Sequence, residues 1–536
     1  MKRIISLILV VTTLFMLCSC TNTESNTQLT MGIFDSIDNL DPLSANGDGE
    51  RIIAANCFEG LLRFDSKGKI DLGGATAYSV SNDNLVYTFK LNPSAKWYVS
   101  KATETVLTDV GLTEFENKIT AEDYIFGIKR FIESGYTQLN SIKGVKEYLT
   151  ARENENDAEK LPQIGVAAID DYTLQITLTQ KDPDLLYKLA TLPVYPCEQI
   201  FFESLDSIYY SNPSTLISNG PYFVSTVEET ETTLQRNPDY TGKLQVQNKS
   251  LLLYNTGKRN AMESRFTEGK YDVYLTPCTS RIEGNTTSYT SIDSVWGFAF
   301  NCKTSVGSVA EIRNILLSTI DYSKIETPAF ATGKADRIIP NNYTIGDANY
   351  ADFSPAKLTY AKNAKAAQAN LEVLLSRTGK EAYTIEISVP APLNKDLQTI
   401  IEAWQVLFED KILFDTRIYD LEDVDKIVSE GKYDLAILPI RPTSKTAFGM
   451  LDAISGAPCN YTDKKMKAFK NQLKTTNEEN AALCGVMEKH IVDSGVFVPL
   501  FFASNDLYLG KGVKGVYLAN GGNQIYFHSG TKPEAQ

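Results

Sequence analysis

Along this chain, short alternating runs recur between longer stretches whose apolar residues fall at helical spacing. Leu85–Leu91 (LVYTFKL) alternates polar residues with β-branched and aromatic ones and predicts a strand. Tyr172–Leu178 (YTLQITL) does the same just after the turn-like Asp170-Asp171. Thr120-Ala121-Glu122-Asp123 has nearly the spacing of a capping box, with Asp in place of Glu, and opens a helical pattern over Tyr124–Ile132. Further helices are predicted over Val309–Ile320, Ala364–Leu375, Leu397–Leu407 and Glu478–Ile491. Strands alternating with helices predict α/β lobes. Turn residues punctuate them at Asn46-Gly47-Asp48-Gly49, Ser218-Asn219-Gly220-Pro221 and Asn520-Gly521-Gly522-Asn523. The polar stretch Thr103–Lys118 reads as a surface insertion, and Arg152–Lys160 as a solvated, charged loop or helix end.

One apolar run stands apart. Lys2 and Arg3 precede the mostly apolar Ile4–Met16, which then stops at Leu17-Cys18-Ser19-Cys20. The run matches the h-region of an export signal. It is shorter than the ~20 apolar residues a membrane span requires. The four residues that end it resemble a bacterial lipobox, which implies residues 1–19 as a signal peptide and Cys20 as the mature first residue, carrying lipid on its sulfur. Two acyl chains give stable anchoring. The plainer reading is an ordinary signal peptide with incidental cysteines. Residues 20–30, rich in Thr, Asn, Ser and Gln, suit a flexible tether.

Composition then narrows the function. A chain of 536 residues, at ~150 residues per domain, suggests roughly two to four lobes. The net charge of −14 argues against nucleic acid, whose binding rests on Lys and Arg neutralising phosphates. Six cysteines beyond the export segment (Cys57, Cys197, Cys278, Cys302, Cys459, Cys484) are scattered without a CxxC, so pairing and free thiols both stay open. Only two histidines occur, His490 and His528, which leaves a His-based triad or metal site without partners. Asp35, Asp38 and Asp41 lack the spacing and glycine of an EF-hand. The lone GxGxxG, Gly510–Gly515, has too little chain after it for a dinucleotide-binding unit and reads as turns. No cofactor and no metal is expected. The 28 Tyr and 24 Phe fill cores first, and a fraction is expected to line a cleft.

A colinear set of short motifs goes further. Leu40-Asp41-Pro42, Phe58-Glu59-Gly60-Leu61, Gly68, Tyr87-Thr88-Phe89 and Lys96-Trp97 come in order, followed by Ile119–Asp123, Asn219-Gly220-Pro221-Tyr222 and Arg236-Asn237-Pro238-Asp239-Tyr240. Glu268–Asp272, Phe300-Asn301, Ile312-Arg313, Ile320-Asp321, Gly431-Lys432-Tyr433-Asp434 and Val498-Pro499-Leu500 continue the series. Each is weak alone, but the ordered set resembles the extracytoplasmic solute-binding proteins of ABC importers, in the oligopeptide/dipeptide-binding family. The resemblance implies an α/β, type II periplasmic-binding-protein-like fold, with two lobes around a cleft and an additional domain. The implied division is 31–72 for the first part of lobe I, 73–191 for the additional domain II, 192–295 for lobe I again, 296–496 for lobe III and 497–536 for the return to lobe I.

The implied function is a lipid-anchored extracytoplasmic receptor, not an enzyme, acting as a monomer. It would close by hinge motion around an oligopeptide and deliver it to ABC permease subunits. Trp97 and Trp404 fall in motifs expected to be structural. Asn46, Gly47 and Asp48 fall where family members line the cleft, as do Trp296 and Phe298 on the crossing to lobe III. Peptide-binding members carry an Asp after the Tyr-Asp strand of the third lobe, but Leu435–Thr443 holds no acid. Asp48 is therefore a candidate partner for a ligand cation and Arg441 for a carboxylate or phosphate. Kept beside this reading are a receptor for a non-peptide solute or a signalling peptide, a secreted hydrolase, and an adhesin or regulatory lipoprotein on the same fold.

Overall fold

A computed structural model describes residues 27–533, apart from 35, 46, 113–114, 154–160, 206–207, 258, 278–281, 283–286, 347, 354, 356, 359–361, 443, 471, 474–475 and 520–523. Cys20, the export segment, Asn46 and Cys278 lie outside the described residues, as does most of Arg152–Lys160.

The periodic segments become the elements they predict, with ends shifted by no more than three residues. Strands β1 (Gln28–Ile33), β2 (Ala75–Val80), β3 (Val86–Leu91), β4 (Val166–Asp170) and β5 (Thr173–Thr177) lie in the first third of the chain. With them come helices α1 (Asp48–Cys57), α2 (Lys101–Asp109), α3 (Ala121–Glu133) and α4 (Leu185–Thr191). Next are β6 (Tyr222–Val227), β7 (Glu231–Arg236), β8 (Ser250–Asn255), β9 (Val273–Pro277) and the long β10 (Thr287–Phe300). The remainder supplies α5 (Ala310–Leu317), α6 (Ala364–Thr378), β11 (Tyr383–Pro390), α7 (Asn394–Phe408), β12 (Ile412–Tyr419), β13 (Leu435–Ile440), α8 (Ala447–Ala453), α9 (Asn477–Asp493) and β14 (Phe497–Leu509).

At the start of α3 the Asp123 carboxylate accepts the Thr120 amide at 2.7 Å and its hydroxyl at 3.1 Å, so Asp does the work of the usual Glu. The stretch read as a surface insertion instead opens with α2. Ser100 Oγ caps it by accepting the Thr103 amide at 3.1 Å, and Thr103 and Leu107 are buried. Its threonines, poor helix formers, return their hydroxyls to the carbonyls of Lys101 and Glu104. Packing here overrides propensity.

One eleven-stranded sheet runs β12-β11-β13-β10-β14-β9-β1-β8-β7-β6, with the short strand Gly333–Lys334 on β14. A separate sheet, β2-β3-β5-β4, lies with α2 and α3 in the first third of the chain. The hydrophobic core divides the same chain into two bodies. One continuous cluster takes residues from Leu29 to Leu275 and returns for Leu507 to Phe527. Two more occupy the span from Val295 to Ala503.

Among the described residues, β10 and β14 are the strands that run through both bodies. Thr287–Ser291 pairs with Asn505–Leu509 in the first, and Ser294–Ala299 with Phe497–Ala503 in the second. A register shift between Ile292 and Ser294 sits where the strands pass from one core to the other. A bulge of this kind bends and twists a strand locally. At Gly510–Gly515 the glycines form turns, with Gly512 and Gly515 at positive φ, as the reading against a dinucleotide loop expects. The five described cysteines of the body are free thiols. No helix of the described residues is long and apolar enough to cross a membrane.

Candidate functional site

The two bodies meet along a seam beside the crossing strands. The loop before α8 reaches from the second body to α4 of the first. The Lys445 amide donates to Tyr187 Oη at 2.7 Å, and the Thr446 hydroxyl donates to Asp184 Oδ2 at 2.7 Å. Lys445 Nζ donates to Ser291 Oγ on β10 at 2.8 Å. A neutral hydrogen bond contributes only about 1 kcal/mol net and one to a charged group about 1.5–3. Three such bridges therefore hold the bodies together without locking them.

The seam concentrates polar groups in low dielectric. Burial pushes the Asp184 carboxyl up to about 7; Lys188 opposes this and Asp182 adds to it. Burial pushes the Lys445 ammonium down to about 8, against the pull of Asp293. Burial likewise raises the Tyr187 and Tyr343 hydroxyls, each with a carboxylate nearby: Asp184 for Tyr187, Asp293 for Tyr343. Tyr343 Oη and Thr344 Oγ1 are buried without a hydrogen-bond partner.

Alongside lies a cavity of 630 Å³. From the first body it is lined by Gln138, Asn140, Ser141, Asp182, Asp184 and Lys188 among others, and from the second by Phe448, Asp452 and Leu473. Its volume is that of a small-molecule site, and its wall is mostly polar with charges of both signs. Three residues of this wall, Gln138, Asn140 and Asp184, each hold a fully buried side-chain oxygen with no hydrogen-bond partner. The arrangement suits non-covalent capture of a polar solute.

None of the five described residues expected at the ligand lines this cavity. Gly47 caps α1, and Asp48 pairs with Arg51 at 2.8 Å within the same helix. Arg441, 47% exposed, reaches Asp425 at 2.6 Å. Asp48 and Arg441 do share one property. Each follows the carboxyl end of a parallel strand, β1 or β13, the edge at which open α/β sheets receive ligands. A 420 Å³ hollow lined by Ala391, Pro392, Asp420, Leu421 and Asp423 opens on the same edge of the second body.

Trp296 and Phe298 correct the cleft-lining expectation. Both rings point into the core of the second body, Trp296 against Phe330 and Phe298 against Tyr322. On a strand covered on both faces, an aromatic residue signals core as readily as cleft. Trp97 and Trp404 are buried, and Trp404 Nε1 donates to Thr319 Oγ1 at 2.7 Å. The seam residues themselves were missed. Asp184 reads as an ordinary helix start, and Lys445 and Thr446 follow the strand end already singled out for its lack of an acid.

A molecule of two α/β bodies, joined by a pair of shared strands and enclosing a polar cavity at their junction, belongs by architecture to the binding proteins. The chain belongs to the bacterial extracellular solute-binding proteins, family 5, whose model matches residues 69–461. Members of this family are binding receptors, not enzymes, which sets aside the hydrolase reading.

Among curated relatives, the chain is 28% identical over 295 residues to the oligopeptide-binding protein AliB of Streptococcus pneumoniae, covering 53% of this chain and 42% of that protein. It is 23% identical over 319 residues to the periplasmic murein peptide-binding protein MppA of Escherichia coli, covering 57% and 55%. It thus spans about half the length of the curated relatives it matches, or less. Among solved structures, peptide-bound OppA of Listeria monocytogenes superposes with a TM-score of 0.67 at 19% identity, covering 96% of this chain and 100% of the other. OppA of Haemophilus influenzae in complex with RPPGFSPFR gives 0.66 at 18%, covering 95% and 99%. The fold is thereby type II periplasmic-binding-protein-like.

Proposed function

We propose that this chain is a lipid-anchored extracytoplasmic receptor that binds an oligopeptide between its two bodies and delivers it to the permease of an ABC importer. Cys20 is the lipid carrier in this reading, and the acidic body works as a monomer without cofactor or nucleic acid. The observation that carries it is the 630 Å³ polar cavity at the junction of two bodies that, among the described residues, are joined through β10 and β14. Two shared strands with a register shift between them suit hinge closure, and three light bridges across the seam allow reopening. The oligopeptide-binding relatives favour a peptide over a sugar or a metal complex.

The test is thermal unfolding of the mature body with a pool of short peptides. A ligand that binds only the folded state at 100 times its Kd adds about 2.7 kcal/mol, so the midpoint should rise by degrees. Native mass spectrometry of the same sample should show a peptide-sized adduct. A flat response to peptides alongside a rise with a sugar panel would replace the peptide with another solute.

A further inference from the structure

The chain carries a formal charge of −14, yet one edge of its first body gathers basic residues. It is the edge where the parallel strands β1, β8 and β9 begin and where the antiparallel β7 and β14 end. Backbone bonds fix which residues meet there. The Lys249 amide donates to the Thr27 carbonyl at 2.8 Å, and the Arg236 amide to the Lys249 carbonyl at 2.9 Å. The Thr30 amide donates to Asp272 Oδ2 at 2.8 Å. The Gly510 amide donates to the Asp272 carbonyl at 2.8 Å, which brings in the turn carrying Lys511 and Lys514. Lys514 and Thr531 then bond amide to carbonyl in both directions, at 2.9 Å each. These residues surround the start of β1.

Two acids lie among them, and each is bonded by a lysine. Lys532 Nζ reaches Asp272 Oδ2 at 2.8 Å, and Lys270 pairs with Glu268 at 2.7 Å. The exposed Lys249, Lys511 and Lys514 have no ion-pair partner among the described residues. The adjoining sequence adds one acid on each side, Glu24 and Glu534. Exposed lysines are ordinarily just solvated, but the position of these three says more. The same edge receives the chain from its amino-terminal side. Cys20 and Thr27 are seven positions apart. An extended chain covers at most ~3.6 Å per residue, so a lipid on Cys20 would hold Thr27 within ~25 Å of the bilayer. Anionic headgroups repel the rest of an acidic chain and attract this edge, and the short tether favours the same orientation.

We propose that Lys249, Lys511 and Lys514 form a docking edge for the anionic phospholipid surface beside the anchor. This rests on the lipid-anchored reading above and adds to it the side by which the body meets the membrane. A lysine near an anionic bilayer changes partitioning by about fivefold, so three give on the order of 100-fold. That is weaker than a single acyl chain, whose own binding is marginal and reversible. The edge therefore orients the body rather than retaining it. It is opposite the carboxyl ends of β1 and β8, so the solute-receiving edge is left facing outward.

The experiment is flotation of the full chain carrying Cys20→Ala, which removes the lipid, at low salt with vesicles in excess. One set of vesicles is equal parts phosphatidylglycerol and phosphatidylcholine, and the other is phosphatidylcholine alone. The chain should bind the anionic set at least about tenfold more strongly, and the preference should fall as salt is raised. Lys249→Gln, Lys511→Gln and Lys514→Gln together should erase most of it. Lys365→Gln, Lys395→Gln and Lys432→Gln make the same change in net charge at exposed lysines of the second body, and should leave it in place. Both triple variants should melt with the parent chain, which shows that they fold. No binding, equal binding to the two sets, or equal loss in the two triple variants overturns the docking edge and leaves the anchor standing. The anchor is read separately, by fractionating cells that carry the unmutated chain. Its absence from the membrane fraction there overturns the anchored reading, whatever the vesicles show.

Discussion

Asp184 joins ionisation and a contact between the two bodies in one side chain, and its pH response follows from its surroundings. The groups that face it are Lys188, Asp182, Asp452, the Tyr187 hydroxyl and the Cys484 thiol. An unfolded aspartate titrates near ~3.9, whereas the folded group titrates at about 7. Between those values the folded chain holds a proton that the unfolded chain releases. The stability linked to this proton is fully present below the unfolded value and is lost as pH rises to about 7. The melting-point difference between Asp184→Asn and wild type should therefore move in the variant's favour from pH 4 to pH 8 in the absence of solute. A difference independent of pH would assign the titration elsewhere. His528 works in the opposite sense: burial depresses it to about 4, so its contribution fades as pH falls from 6.5.

The pair β10 and β14 is where secondary structure becomes mechanism. β14 carries residues of both cores and β10 pairs with it along both, so the two bodies are continuous through hydrogen-bonded ladder rather than loop. Gly297 shows how tight the ladder is, because a Cβ there would overlap the Val498 carbonyl oxygen and press on the Phe497 ring. The change Gly297→Ala is expected to destabilise the chain by about 1–3 kcal/mol, the range for overpacking a filled site. Denaturant unfolding would measure it, and an unchanged midpoint would mean that the strands part readily at this position. Legibility was uneven at this level. Val86–Leu91 and α3 were visible because their period and caps are local. α2 was not, since a threonine-rich helix is made by burial of Thr103 and Leu107 against residues distant in sequence.

For the molecule as a whole, the expected behaviour is that of a tethered jaw. The first-body core gathers residues from both ends of the described chain, and the second-body clusters fill the stretch between. An anchor at Cys20 would place such a body at the membrane face while leaving the seam free to open. Substituting Cys20→Ala should move the chain from the membrane fraction to the medium. Retention equal to wild type would remove the anchor from the proposal and leave the cavity untouched. The cavity was beyond sequence reasoning for a plain reason. Its wall joins residues 138–188 to residues 448–473, and no spacing rule links positions so far apart.

Period, turn chemistry and ordered short motifs were enough for an α/β solute-binding protein, because each depends on neighbours within a few residues. They put Asp48 between the Leu-Asp-Pro motif and the Phe-Glu-Gly helix and Arg441 after the Tyr-Asp strand, which is as far as motif position reaches. Which side chains are left facing a solute depends on how two cores dock. Trp296 and Phe298 face inward to fill the second core, and Gln138, Asn140 and Asp184 come to the seam, each with a buried oxygen that has no hydrogen-bond partner. Burial and unmet hydrogen bonds are properties of the assembled surface, and the residues that carry them look ordinary until that surface exists.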